Sequence, residues 1–343
     1  MTDTSVLDGV DTPRQRRKRE LLITLFRFQS LFGLVAVFIA AIAFSPSRGG
    51  EILFLSADNL FNVVRAVSEI GIIAVGMTFV ILIGGIDLSV GALLGLAAVG
   101  SAVLMVDEDF GVLAAVAVVL VLGLGFGLLQ GVASAVLGIQ AFIVTLAGLQ
   151  IARGLARIWS GGQGVAIAYG TGPQEAPVTF SLLGERTFNG LVPIPALIFA
   201  VIAVVAILFL RSSALARHVY AIGGNEKAAR LSGVPVTRVK IIVFGICGLL
   251  AAVAGIIHAG QLNQGSPNDG SGYELDAIAA VVVGGTSLAG GRGSVVGTVA
   301  GALLLGVLNN VLSLNSVDTN IQMLIKGLVI VVAAGLQRLR PAF

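Results

Sequence analysis

Residues 110–129 read FGVLAAVAVVLVLGLGFGLL, an apolar run without one charged side chain. A helix rises about 1.5 Å per residue, so about 20 such residues cross a hydrocarbon core of roughly 30 Å. Residues 191–210, LVPIPALIFAVIAVVAILFL, satisfy the same condition. Working outward from these two, apolar windows recur about ten times, near 23–44, 69–86, 90–106, 110–130, 140–158, 191–210, 241–260, 275–289, 294–312 and 320–337. The composition agrees, with 56% hydrophobic and 11% charged residues, against about 25% charged in soluble domains. The expected fold class is therefore all-α, a polytopic transmembrane bundle of about ten spans. Glycine is abundant, at 46 of 343 residues. Small residues let membrane helices approach closely, so tight packing and broken helices are expected.

Charge sets the orientation. The cluster Arg14–Arg19, Arg211, Arg217, Lys227, Arg230, Arg238, Lys240, Arg292, Arg338 and Arg340 fall on one side of the predicted spans. Asp107, Glu108, Asp109, Glu175, Asp269 and Asp318 fall on the other, with Arg153 and Arg157 as the main exceptions. By the positive-inside rule both termini are cytoplasmic. The chain then divides into a disordered tail (1–20) and a transmembrane domain (21–340). The latter carries a cytoplasmic loop at 211–240 and a polar outer loop at 160–190. The basic residues flank spans and form no aromatic-interleaved patch, so they point to no nucleic acid. Cys247 is the single cysteine and the chain holds two histidines, His218 and His258, so no metal-ligand set is expected.

Within the cytoplasmic loop, residues 223–235 read GGNEKAARLSGVP. This predicts a short isolated helix: Asn225 as N-cap, Glu226 in the first turn, Gly233 at the left-handed C′ position and Pro235 barring continuation. Ala228 and Ala229 would let another surface approach its backbone. A helix this short is marginal in water unless docked. The plain alternative is an ordinary turn between spans.

Two glycine-punctuated breaks interrupt apolar runs. One is Ile83–Gly91, with Gly84, Gly85, Asp87 and Ser89; the other is Val283–Gly291, with Gly284, Gly285, Thr286 and Ser287. Paired breaks of this kind mark a translocation path or gate, because broken helices expose backbone groups that must find partners. Equally, they read as two tight cytoplasmic turns. Asp87 is then either a pathway charge or a cap for the following helix, with Ser89 assisting. Lys326 lies inside the last apolar run and reads as snorkelling, or as paired with Asp318 or Asp276. Asn309 and Asn310 are further path candidates, or interhelical glue. No G-x-x-x-x-G-K-[ST] loop is present, so the chain has no phosphate cradle and no catalytic residues are expected.

The stretch Lys227-Ala228-Ala229-x-x-x-Gly233 resembles the "EAA…G" signature of ABC importer permeases, with Lys in place of the first acidic residue. Tyr220–Gly233, Gly272–Gly291 and Gly85–Gly91 together resemble permeases of the ribose-type monosaccharide importers. The resemblance implies a bacterial inner-membrane subunit whose coupling helix comprises Asn225, Glu226, Lys227, Ala228, Ala229, Arg230 and Gly233. It further implies a second permease copy, a separate cytoplasmic ABC ATPase that binds ATP and Mg, and a periplasmic sugar-binding protein. No cofactor is then bound by this chain. The residues do not choose among pentose, hexose and polyol. A gradient-driven secondary transporter is the competing class, although few intramembrane carboxylates serve it. A membrane enzyme would need clustered His, Asp or Glu, which the sequence lacks.

Overall fold

The structure, a computed structural model, describes residues 29–187 and 192–338. The expected tail at 1–20, the start of the first span and Arg340 lie outside the described residues. Twelve α-helices are found among the described residues: α1 (Gln29–Ala43), α2 (Ala57–Leu82), α3 (Val90–Val106), α4 (Val112–Ala135), α5 (Ala141–Trp159), α6 (Ile194–Ser212), α7 (Ala214–Gly224), α8 (Glu226–Leu231), α9 (Val236–Leu262), α10 (Tyr273–Val283), α11 (Val295–Leu314) and α12 (Thr319–Arg338). Three two-residue ribbons and two 3-10 turns make up the rest of the regular structure described.

Among the described residues six helices, α2, α4, α5, α6, α9 and α11, are long and apolar enough to cross a membrane. Ser30–Ala43, Val90–Val106 and Thr319–Gly335 are shorter apolar helices. At the centre lies α3, every residue of which is buried. It is apolar all round, as α4 is, but its neighbours on every side are other parts of the chain, whereas α4 leaves much of its surface exposed. Around α3 pack α9, α5 and α4, and α2 runs antiparallel along α9: Arg65 meets Gln261, and Gly76 faces Cys247. The outer helices keep large apolar side chains exposed, among them Leu113, Ile151 and Val205. In water such a surface would associate; in a bilayer it is the solvated face.

The α4–α9 seam shows what the glycines do. Gly123, Gly127 and Gly131 recur at helical spacing on α4, and a Cβ at each would run into α9 backbone at Gly248, Phe244 and Ile241 respectively. Only hydrogen fits there, so the two backbones lie in direct contact.

Two predicted spans differ from what is observed. The run at 69–86 belongs to a helix that begins at Ala57, because Asp58, Arg65 and Glu69 depress the apolar signal of its first half. These charges are accommodated in the fold: Arg65 donates to Gln261, and Glu69 pairs with His258. The run at 275–289 is a helix only to Val283, where the glycine break ends it.

Seven basic residues, Arg211, Arg217, Lys227, Arg230, Arg238, Lys240 and Arg292, gather at the end of the bundle where α9 begins. At the opposite end of α9 the outer loop docks. Val165–Ala166 pairs antiparallel with Gln264–Gly265, Ile167 N donates to Asn263 O at 2.8 Å, and Phe180 is fully buried.

Candidate functional site

The short helix α8 stands out at the basic end. Asn225 Oδ1 accepts from Ala228 N at 3.0 Å, closing its first turn. At its other end Val234 N donates to Ala229 O (3.0 Å) and Gly233 N to Arg230 O (3.1 Å), with Gly233 at φ +82°. That pair of bonds is a Schellman cap, which needs a left-handed residue at C′. Ala229 faces inward and is buried, whereas Asn225, Lys227, Ala228 and Arg230 are exposed. Leu231 is 90% exposed, an apolar knob on an otherwise polar loop. Glu226 turns back on the chain, accepting from Lys240 Nζ on α9 at 2.8 Å and from Arg230 at 3.2 Å. The Lys240 ammonium holds its carboxyl below the usual carboxylate range, outweighing the opposing effect of partial burial.

Both glycine breaks converge on the helix that leads into α8. Gly291 N, from the second break, donates to Leu82 O at the end of α2 (2.9 Å). Tyr220 Oη on α7 donates to Gly293 O at 2.9 Å. Gly223 sits at the crossing: a Cβ there would collide with Leu82 O and Gly291 N. Residues 84, 223 and 290–291 thus form one backbone node, in which α7 touches both breaks and passes directly into α8.

The remaining sequence candidates divide among different places. Gly84 and Gly85 line a cavity of about 410 Å³ together with Glu226, Arg230 and Lys240. Gly284 lines another, of about 440 Å³, beside Arg211 and Tyr220. Gly285 and Thr286 close the end of α10 by donating to Val282 O and Val281 O, and Ser287 N donates to Arg292 O. Asp87 is 1% exposed; its Oδ1 accepts from Ser89 N (2.9 Å) and Ser89 Oγ (2.6 Å), and Gln130 Nε2 donates to Ser89 Oγ. It lines neither cavity at the basic end, and its bonds order the turn into α3. Asn309 and Asn310 lie away from the node, on a cavity between α2, α10, α11 and α12.

Sequence reading missed a polar cluster deeper in the bundle. Glu69 Oε2 lies 2.8 Å from His258 Nδ1, and Asp269 Oδ2 lies 3.5 Å from His258 Nε2. Tyr273 Oη donates to Glu69 at 3.4 Å. The two carboxylates sit on opposite ring nitrogens, so they converge on no common point and form no metal site. Arg153 Nη1 donates to Asp269 O at 2.7 Å, which accounts for this arginine among acidic neighbours. The cluster ties α2, α9 and residues 266–270 together. Glu69, an ionisable residue midway along a helix otherwise apolar from Ile70 onward, was its signal.

Over residues 59–334 the chain matches the family described as branched-chain amino acid transport system / permease component. It belongs to this permease family. It is 44% identical over 310 residues to the ribose import permease protein RbsC of Escherichia coli (strain K12), covering 90% of this chain and 92% of that one. RbsC of Bacillus subtilis (strain 168) is 44% identical over 313 residues, again covering 90% and 92%. The L-arabinose transport system permease protein AraH of E. coli (strain K12) is 40% identical over 316 residues, covering 90% of each. No solved structure matches the chain. The permease is thus a multi-pass membrane protein, and the node and α8 lie within its matched region.

Proposed function

We propose that this chain is the transmembrane permease subunit of an ATP-binding-cassette importer that carries a monosaccharide, a ribose-like pentose or a related hexose or polyol, across a bacterial inner membrane. The observation that carries the coupling role is α8. It is capped at both ends, exposes Leu231, and joins a helix in contact with both glycine breaks. A rigid helix transmits force; a floppy loop does not. A separate ABC ATPase would seat on that face, hold ATP and Mg, and displace α8 as it closes. Through Gly223 the displacement reaches the ends of α2 and α10, and the path switches between inward- and outward-facing states.

The relatives named for ribose, xylose and L-arabinose support a sugar as cargo, at 44%, 35% and 40% identity. The family description names branched-chain amino acids. The sugar reading is preferred because these relatives match nearly end to end. In this reading a periplasmic binding protein delivers the sugar and a second copy of the chain completes the path. In the same reading the chain crosses the membrane ten times, with α10 and the segment 263–272 together forming one crossing; the six long helices and the three shorter apolar ones support nine of them. The charge asymmetry supports placing α8 and both termini in the cytoplasm.

The test is uptake into proteoliposomes holding the permease, its ATPase and its binding protein. Ribose uptake that requires ATP and survives collapse of ion gradients is the expected result. Uptake without ATP that follows a proton or sodium gradient would sink the importer reading, and uptake of leucine instead of sugar would overturn the cargo.

A further inference from the structure

A cavity of about 450 Å³ lies between α2, α10, α11 and α12, in the size range of roughly 300–1,000 Å³ usual for small-molecule sites. One wall is apolar, with Val63, Ala66 and Ala302. The others are polar. Lys326 Nζ lies 3.3 Å from both oxygens of Asp276, and each side chain is 22% exposed. Asn310 and Asn59 exchange amide hydrogen bonds at 2.8 and 3.0 Å, fixing α11 against α2. Beside them, Asn309 Oδ1 is buried with no hydrogen-bond partner. The Tyr273 ring borders the same space.

Each feature has a cost that packing alone leaves unexplained. A charged pair between two helices of an apolar bundle is expensive, and such pairs mark substrate pathways. A purely structural brace would be closed over, whereas this pair faces an open space. The symmetric contact leaves lone pairs on both carboxylate oxygens and at least one ammonium hydrogen for a third group. An orphaned amide oxygen is likewise costly unless something visits it. Sugars present adjacent hydroxyls, each both donor and acceptor, around a ring whose C–H faces are apolar. Carboxylate, ammonium and amide next to an apolar wall and one aromatic ring match that chemistry.

We propose that this cavity is a sugar-recognition subsite on the translocation path, in which Asp276, Lys326 and Asn309 bind the hydroxyls of a passing monosaccharide. The proposal rests on the sugar-importer reading, and it assigns that function a place outside the glycine node. The Asp276–Lys326 pair is then a gate: it is closed on itself when empty and opens onto hydroxyls when a sugar passes.

Two measurements test it. In the reconstituted complex, Asp276→Asn and Lys326→Met should each lower ribose taken up per ATP hydrolysed at least tenfold, and the double variant should not recover. Recovery in the double variant would reduce the pair to a brace and overturn the proposal, as would uptake within twofold of wild type in both single variants. The second measurement does not need turnover. Cys247 is the sole cysteine and is buried, so Ala66→Cys, on the apolar wall and exposed, introduces a thiol whose labelling can be followed alone with the three polar groups intact. Ribose, or xylose or arabinose where the wild type prefers it, should slow that labelling severalfold at millimolar concentration. Labelling indifferent to all three sugars would overturn the subsite. If the wild-type complex itself takes up no sugar, the importer reading fails, and that result is visible without any variant.

Discussion

Gly233 sits at φ +82° with open space where a Cβ would stand. Substitution there is therefore limited by backbone conformation and not by packing. For a residue with a Cβ the left-handed region costs roughly 1–2 kcal/mol, most for β-branched side chains and least for asparagine. We predict that Gly233→Val loosens the Schellman cap and lowers binding-protein-stimulated ATP hydrolysis severalfold, with membrane insertion intact. Gly233→Asn should stay within about twofold of wild type, since Asn enters this region at little cost. Equal loss in both variants, measured in the same reconstituted complex, would mean that a side chain at 233 obstructs a partner and that cap geometry is not the cause. Glu69 gives the contrasting case at this scale. It is a buried carboxyl held by partners on other elements, His258 and Tyr273, and its neighbours in sequence offer no hint of them.

Among the elements, α8 was the most legible, because its determinants are local. Asn225, Gly233 and Pro235 lie within eleven residues, and caps act over one turn. What stayed hidden was how α8 is held. Glu226 bonds to Lys240, fourteen residues onward, and only the folded loop brings them together. With the Glu226 carboxyl held below its ordinary range, the tie is present at neutral pH. It weakens as pH falls below about 4.3, the usual value for glutamate, and is lost once the folded carboxyl protonates. The pair is partly exposed, so its contribution is small, below about 1 kcal/mol. Hydrogen exchange over residues 226–234, corrected for intrinsic rates, should show protection that holds at neutral pH and falls as pH drops below about 4.3. Glu226→Gln should show the low-pH behaviour throughout. Protection that is flat with pH in the wild type would remove this ion pair from the account of α8. The long spans were legible for a different reason, since apolar length alone specifies them. Their ends were less so wherever charges such as Arg65 and Glu69 find partners inside the bundle.

On the scale of the whole molecule, the two breaks were visible in the sequence as glycine punctuation, but their meeting was not. The contact joins residues 82, 223 and 291, which no local pattern relates, and it exists because Gly223 and Gly291, without side chains, let their backbones reach the Leu82 carbonyl. The same limit hid the cavity of Asp276, Lys326 and Asn309, whose walls come from four helices. This arrangement makes Gly223 the point through which motion of α8 reaches the path. Mutations along a coupling route typically change coupling by about 0.5–2 kcal/mol, or roughly 2- to 30-fold. Gly223→Ala sets a methyl group against Leu82 O and Gly291 N and should part α7 from the breaks. We predict that sugar uptake per ATP hydrolysed falls within that range. Gly224→Ala is the matched control: the neighbouring position has open space around its Cβ and an ordinary φ. It should transport within about twofold of wild type, because no contact of the node is disturbed. If both variants transport normally, the node is a packing contact only, and α8 must act on the path through α9 and Lys240 instead. If both fail alike, the sensitivity belongs to the end of α7 as a whole. Only a loss confined to Gly223 locates the transmission at the crossing of the two breaks.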